Sequence, residues 1–284
     1  MDTTLDASFL KDMVGFRMDA DSMDNLDVRA IKPLIEPVRQ FGRLYFRCEV
    51  RGIERIPEGP AMVVGNHNAG ITFLEPFFMA AEYYAQRGFQ DPLYMVAHDA
   101  MVAIPVLRNA LLKLGAVRAT RRNSEEILRR GRKMVVYPGG NHEAFRTYAN
   151  RHRIDFGGHK GFARLAVDMD APVVPVINVG GHETLFILHR GEKLSTILGV
   201  DKVLRSKACP VAISLPWGVS VGPIFHLPLP AKTEIEVGEP IRPSQVLADV
   251  PREQRADALY DVVVGTLQRM MDTIAARRRF PVLG

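Results

Sequence analysis

Apolar positions along the chain recur at two spacings, and the change from one to the other predicts the fold. Residues 28–45 carry Val28, Ile31, Leu34, Ile35, Val38, Phe41, Leu44 and Tyr45 at helical spacing, with Lys32, Arg39 and Arg43 between them. That pattern predicts one amphipathic helix. Pro33 and Pro37 are expected to bend or split it, because each removes a backbone donor. From Phe46 a strand–helix rhythm takes over. Strands are predicted at 46–52, 61–64, 93–97, 116–119, 134–137, 173–179 and 234–237, and helices at 74–87, 105–114, 124–130, 161–168 and 252–278. Asn123 or Ser124 is the expected cap of the helix at 124–130. Several strands are unbroken apolar runs, as expected where a sheet is covered on both faces. The prediction is a single α/β domain over residues 46–284, with a central, largely parallel sheet flanked by helices, preceded by the N-terminal amphipathic helix.

Residues 209–230 (CPVAISLPWGVSVGPIFHLPLP) break the rhythm. The stretch is apolar, rich in Pro and Gly, and holds Trp217, the only tryptophan of the chain. Its prolines argue against a regular helix or central strand throughout. An apolar loop of this length is uncommon and usually functional. It either folds back over the core, or dips into lipid or lines an apolar-chain groove.

Composition bounds the partners. A hydrophobic fraction of 47% over 284 residues supports a sizeable core and excludes a disordered chain. Cys48 and Cys209 show no metal-ligand spacing and read as small core residues in a reducing compartment. No run reaches the roughly 18–20 apolar residues of a spanning helix. The acidic start, MDTTLDASFLKDM, lacks the layout of a signal peptide. The chain is therefore expected neither to span a membrane nor to be secreted. The net charge of +5 conceals an asymmetry: residues 1–27, read as a flexible leader, carry seven aspartates against Lys11 and Arg17. That leader is worth −5, so residues 28–284 carry +10, much of it in clusters at 118–133, 146–153 and 277–279. A basic body suits an anionic partner such as phospholipid headgroups or a phosphorylated cofactor. Nucleic acid is not expected, since few aromatics interleave with the arginines and no nucleic-acid fold signature appears. The helix at 28–45 either packs on the domain or lies on a bilayer with its basic residues toward headgroups.

Four short motifs carry the chemistry. The strand at 61–64 runs into Gly65-Asn66-His67. An imidazole titrates near neutrality, so a histidine at a strand end can take a proton from a hydroxyl and return one. Gly115-Ala116-Val117-Arg118-Ala119-Thr120-Arg121 follows, ending in a guanidinium fork suited to phosphate. Tyr137-Pro138-Gly139-Gly140-Asn141-His142-Glu143 forces a turn and sets a carboxylate beside it. Ala171-Pro172-Val173-Val174-Pro175-Val176 is a buried strand leading to Gly180-Gly181. Singly, these are a core histidine, a surface arginine, a tight turn and a core strand.

In this order the four motifs resemble those of the glycerolipid acyltransferases, the lysophospholipid acyltransferase-like superfamily, from about Tyr45 to Pro240. The resemblance implies that His67 deprotonates an acceptor hydroxyl, whose oxygen attacks an acyl thioester. It implies that Arg121 binds a phosphate, and that Asn66, Gly139, Gly140, Glu143 and Arg146 lie along the substrates. It implies acyl-CoA or acyl carrier protein as donor, a lipid acceptor and a membrane surface as partners, with no metal and no further cofactor. The place implied is the inner, cytoplasmic face of a membrane, held peripherally. The form Pro-Gly-Gly-x-x-Glu is more similar to the branch that acylates neutral glycerides than to the phosphate-acceptor branch with Pro-Glu-Gly-Thr-Arg. One departure stands out. The family commonly places an aspartate five residues after its histidine, and here that position is Thr72. Glu75 is the first candidate for the ring's partner, provided Asn68-Ala69-Gly70 forms a loop that shortens the span. Glu143 comes next, then Thr72 or water. Two other functions remain open from the sequence: thioester hydrolysis on the same base, and a lipid-binding protein that kept the fold and lost the acid.

Overall fold

The computed structural model describes residues 18–99, 101–103, 105–197, 199 and 208–284. Seven strands make the main sheet: β1 (Glu49–Arg51), β2 (Ala61–Gly65), β3 (Leu93–Ala97), β4 (Ala116–Arg118), β5 (Lys133–Val136), β6 (Val173–Val179) and β10 (Glu234–Val237). Their order is β1-β10-β6-β2-β5-β3-β4. The five from β6 to β4 run parallel, and β10 joins β6 antiparallel while pairing parallel with β1. The α/β class and the largely parallel sheet are as predicted. Alternation along the strands divides the core: Met62 and Val64 pack on one face, Ala61 and Val63 on the other.

Helices cover both faces. On one side lie α2 (Ile35–Tyr45) and α3 (Glu75–Arg87), with Phe78, Met79 and Tyr83 buried. On the other lie α7 (Gly161–Met169) and the long α10 (Arg255–Arg277). Leu259, Val263, Leu267, Met271 and Ile274 of α10 fall at i+4 and i+3 spacing and are all buried. Each such side chain contributes about 1.5–3 kcal/mol relative to exposure.

The predicted N-terminal helix is split, as its prolines require. A short α1 (Val28–Ile31) gives way to a 3₁₀ turn at Lys32–Leu34 and then to α2. Most of it takes the packing alternative: Arg39 pairs with Glu82 of α3 at 2.9 Å, and Gly42 lies against Phe78. Phe41 and Leu44 remain exposed. The flexible leader is corrected for residues 18–27. Met23 enters the main core, and Asp24 reaches Arg130 at 3.0 Å, because burying Met23 and Ala20 outweighs the leader's charge. Residues 1–17 lie outside the described residues.

Two further corrections concern α5 (Arg121–Arg129) and the apolar segment. The helix begins three residues earlier than predicted, with Thr120 as its N-cap accepting from the Asn123 N–H at 3.1 Å. Asn123 and Ser124 are inside it. Residues 209–230 are no loop throughout: β8 (Val211–Ser214) and β9 (Gly218–Val221) form a hairpin that adds to β7 (Phe186–His189) in a small antiparallel sheet. Both cysteines are free, and burial pushes the Cys48 thiol up to about 11.

Candidate active site

The carboxyl ends of adjacent parallel strands converge on one spot, where open α/β sheets commonly bind ligands. There β2 delivers Asn66-His67, β5 delivers Tyr137-Pro138-Gly139, and β6 delivers Asn178 to Gly181. Register fixes the grouping, since Val64 sits opposite Val136 on one side and Pro175 on the other. Gly65 is required here. A Cβ at this position would come within 2.6 Å of the Tyr137 ring. Its absence lets Tyr137 lie over the His67 imidazole, with centroids 4.9 Å apart and planes 23° apart. Phe73 closes a second side at 5.1 Å.

His67 Nδ1 is 2.8 Å from Glu75 Oε1. A carboxylate only accepts, so Nδ1–H donates and Nε2 keeps its lone pair, in a residue that lines the cavity. Of the partners weighed from sequence, Glu75 is therefore the one in place. The span is short because residues 66–74 are a loop, not a helix turn. Ala69 N–H donates to Gly181 O at 3.1 Å and Gly70 N–H to Ala144 O at 2.9 Å. Gly70 takes φ +78°, and Phe73 is held at φ +43°, a strained value for a bulky side chain that costs about 1–3 kcal/mol. Glu75 is then the first residue of α3, where unpaired helix N–H groups favour a negative charge. The ring's hydrogen bond goes to Glu75, not to Thr72. The Thr72 hydroxyl accepts from Asn68 Nδ2 at 3.3 Å and ties the loop to itself.

Glu143 is completely buried and serves the backbone of the histidine. Its Oε2 accepts the His67 N–H at 3.0 Å, and its Oε1 accepts from Arg146 at 3.1 Å. Burial pushes the Glu143 carboxyl up, against the attraction of Arg146 and His67. Burial likewise lowers the Arg146 guanidinium, which also donates to the Arg153 carbonyl. Behind this pair His182 is fully buried, and burial together with the nearby charge of Arg146 holds it well below the usual imidazole range.

The cavity in front of His67 has a volume of about 810 Å³. Its apolar wall includes Phe73, Phe77, Met95, Leu111 and Phe162. Phe77, Met95, Leu111 and Ala116 are shared with a narrow apolar slot that runs under α2, between Ile35 and Tyr84. The polar wall is basic: besides His67 it holds His98, His142, His159 and Arg190, against the single carboxylate of Glu192. Arg190 meets His142 Nδ1 at 3.1 Å, and His142 Nε2 meets Asp155 at 3.1 Å. No serine, threonine or cysteine stands among the described residues that line the cavity. Among the described residues no group of His, Cys, Asp and Glu could hold a metal ion.

Gly139 and Gly140 line this cavity, as the motif implied. Four other sequence-predicted substrate contacts are placed elsewhere. Asn66 spends both ends of its amide on Asn178, donating to its carbonyl at 3.0 Å and accepting its N–H at 2.7 Å. It straps β2 to β6 instead of facing the cavity. Glu143 and Arg146 lie behind the wall. Arg121 stands outside it at the start of α5, paired with Glu125 at 2.7 Å and Asp168 at 2.8 Å, with its side chain 61% exposed. Conversely Tyr137, Phe73, His142 and Arg190 were given no role from sequence. Only Tyr137 and His142, inside the glycine motif, carried a signal that could have flagged them.

The Acyltransferase family model matches residues 47–179. An uncharacterized protein of Mycobacterium tuberculosis is 28% identical over 251 residues, which cover 88% of this chain and 66% of that protein. The mouse "DGAT1/2-independent enzyme synthesizing storage lipids" is 32% identical over 128 residues, 45% of this chain and 37% of that protein. This chain thus spans less than two thirds of the length of either relative. The crystal structure of the 1-acyl-sn-glycerophosphate acyltransferase of Thermotoga maritima aligns with a TM-score of 0.51 at 19% identity, covering 88% of this chain and 83% of that one. It shares the fold.

Proposed function

We infer from the family match over residues 47–179 that this chain is a member of the acyltransferase superfamily, and from that premise propose that it moves a fatty acyl group from an acyl thioester to a lipid hydroxyl at a membrane surface. The observation that carries the reading is the His67–Glu75 pair, at 2.8 Å, opening onto a cavity with a broad apolar wall and no serine, threonine or cysteine among the described residues that line it. His67 Nε2 takes the acceptor's proton, and the oxygen attacks the thioester carbonyl. A C–O bond forms, the C–S bond breaks, and the imidazolium returns the proton to the leaving thiolate. Glu75 stabilises the imidazolium between these events and fixes the ring, as the carboxylate of a hydrolase triad does. We take transfer as direct, since no serine, threonine or cysteine stands among the described residues on the wall.

The donor is acyl-CoA or acyl carrier protein, and the basic wall of His98, His142, His159 and Arg190 suits its phosphates. The acceptor is a glycerolipid. A neutral glyceride is favoured by the Pro-Gly-Gly-x-x-Glu motif, by the position of Arg121 outside the cavity, and by the name of the mouse relative. The case for an inactive lipid-binding descendant rested on the missing aspartate, and Glu75 supplies a carboxylate in its stead.

The test incubates purified protein with long-chain acyl-CoA and lysophosphatidate, monoacylglycerol, diacylglycerol or a fatty alcohol. Ester is expected with at least one acceptor, and His67→Ala is expected to lower its formation about 10²-fold or more. Equal transfer by both proteins overturns the mechanism. Free fatty acid with every acceptor assigns hydrolysis instead.

A further inference from the structure

The small sheet reverses the usual order of polar and apolar faces. Along its hairpin Ala212, Ser214 and Ser220 point inward and are buried, while Ile213, Leu215, Trp217, Val219 and Val221 point out. Ser214 Oγ donates to Ser220 Oγ at 2.9 Å, so the inward polar groups satisfy each other. Outside, Ile213 stands opposite Val219 and Val211 opposite Val221. Trp217 is 59% exposed, Val219 71% and Phe225 69%. Residues 208–231 contain no Asp, Glu, Lys or Arg. An antiparallel sheet with one face in water shows the opposite alternation. A contiguous apolar surface of this kind marks an interaction.

We propose that this hairpin docks the protein on a lipid bilayer, with Trp217 at the depth of the headgroups and Val219, Val221 and Phe225 in the acyl region. Its neighbours fit that occupant. Tyr45, at the end of α2, donates its hydroxyl to the Pro228 carbonyl at 2.8 Å. That bond ties the end of α2, which carries the exposed Leu44 one residue earlier, to the charge-free segment, and Arg47 lies on the segment's flank. Arg47 donates to the carbonyls of Pro230 and Val282, which leaves its charge uncancelled. An apolar centre with a cationic rim matches an anionic bilayer. A second copy seated face to face would instead bring like rims together. The segment also borders the site: Ala208 lines the cavity, and His226 packs against Gly70 of the His67 loop. A lipid acceptor can therefore pass from bilayer to cavity along this edge. That purpose rests on the acyl-transfer reading; the docking does not.

Trp217 is the only tryptophan, so the full chain reports its own docking. Mixed with vesicles of phosphatidylcholine and phosphatidylglycerol, Trp217 emission is expected to shift to the blue and to be quenched by brominated acyl chains. Replacing Val219 and Phe225 together by Ser is expected to weaken vesicle binding at least about 10-fold. The same variant is expected to keep its turnover on a short-chain thioester with a water-soluble alcohol. Sedimentation with vesicles while Trp217 stays unquenched places the contact on another surface and overturns the proposal. So does the absence of vesicle binding, or a dimer that shields Trp217 in ultracentrifugation. No turnover by wild type on the soluble pair counts against acyl transfer and leaves the vesicle result standing.

Discussion

His67 is positioned by its backbone as much as by its ring. Glu75 holds Nδ1, and Glu143 holds the N–H of the same residue. Replacing Glu75 by Gln keeps the shape and removes the charge that an imidazolium needs. The expected result is a fall in kcat of about 10²-fold or more with KM little changed, read by steady-state kinetics. Gly139 tests the second support. A Cβ there would lie 2.5 Å from Glu143 Cβ and 2.7 Å from its Oε2, so Gly139→Ala must displace the carboxylate. We expect kcat to drop about 10-fold or more while the far-UV circular dichroism spectrum is retained, since a shift of this size misplaces the base. The pairing of His67 with Glu75 was legible because Glu75 is the nearest following acid and Asn68-Ala69-Gly70 permits a loop. The roles of Asn66, Glu143 and Arg146 were not legible. Whether a polar side chain faces a cavity or a neighbouring backbone is decided by register across strands, which no single motif records.

At the level of elements, β3, β6 and β10 match their predicted bounds residue for residue, because each is a short apolar or alternating run with Pro92, Pro172 or Gly180-Gly181 and Gly238 as punctuation at an end. The start of α5 was misplaced because Arg121, Arg122 and Asn123 are polar and carry no periodic signal. Its true cap, Thr120, belongs to the motif read for phosphate chemistry. Thr120→Ala is expected to destabilise the protein by about 1 kcal/mol through the lost bond to Asn123 N–H, measured by urea denaturation. No effect would mean that the Arg121 ion pairs with Glu125 and Asp168 hold the helix start unaided. The hairpin at β8 and β9 was hidden for a different reason. Its apolar residues alternate as in any strand, but prolines at 210, 216 and 223 punctuate it and its faces are inverted.

For the molecule as a whole, two buried neutral histidines make stability depend on pH. Burial depresses both His182 and His226 below the ordinary imidazole value. In the unfolded chain they take up protons below about pH 6.5, and in the fold only at lower pH. The unfolded state therefore binds more protons, and stability falls as pH falls through that range, by up to about 1.4 kcal/mol per pH unit for each group. His182→Gln is expected to shrink the difference in urea midpoint between pH 7.5 and 5.5. An unchanged difference would assign the pH dependence elsewhere. The turn at residues 280–284 is also part of the site's foundation. Glu183 accepts from Arg278 at 2.6 Å and from the Val282 N–H at 2.7 Å, and the turn it belongs to accepts the Ala69 N–H through Gly181. The 280–284 turn works as a wedge driven in behind the histidine loop. Clipping of residues 280–284 by a contaminating protease would then register as lost turnover in a protein whose cavity wall is untouched.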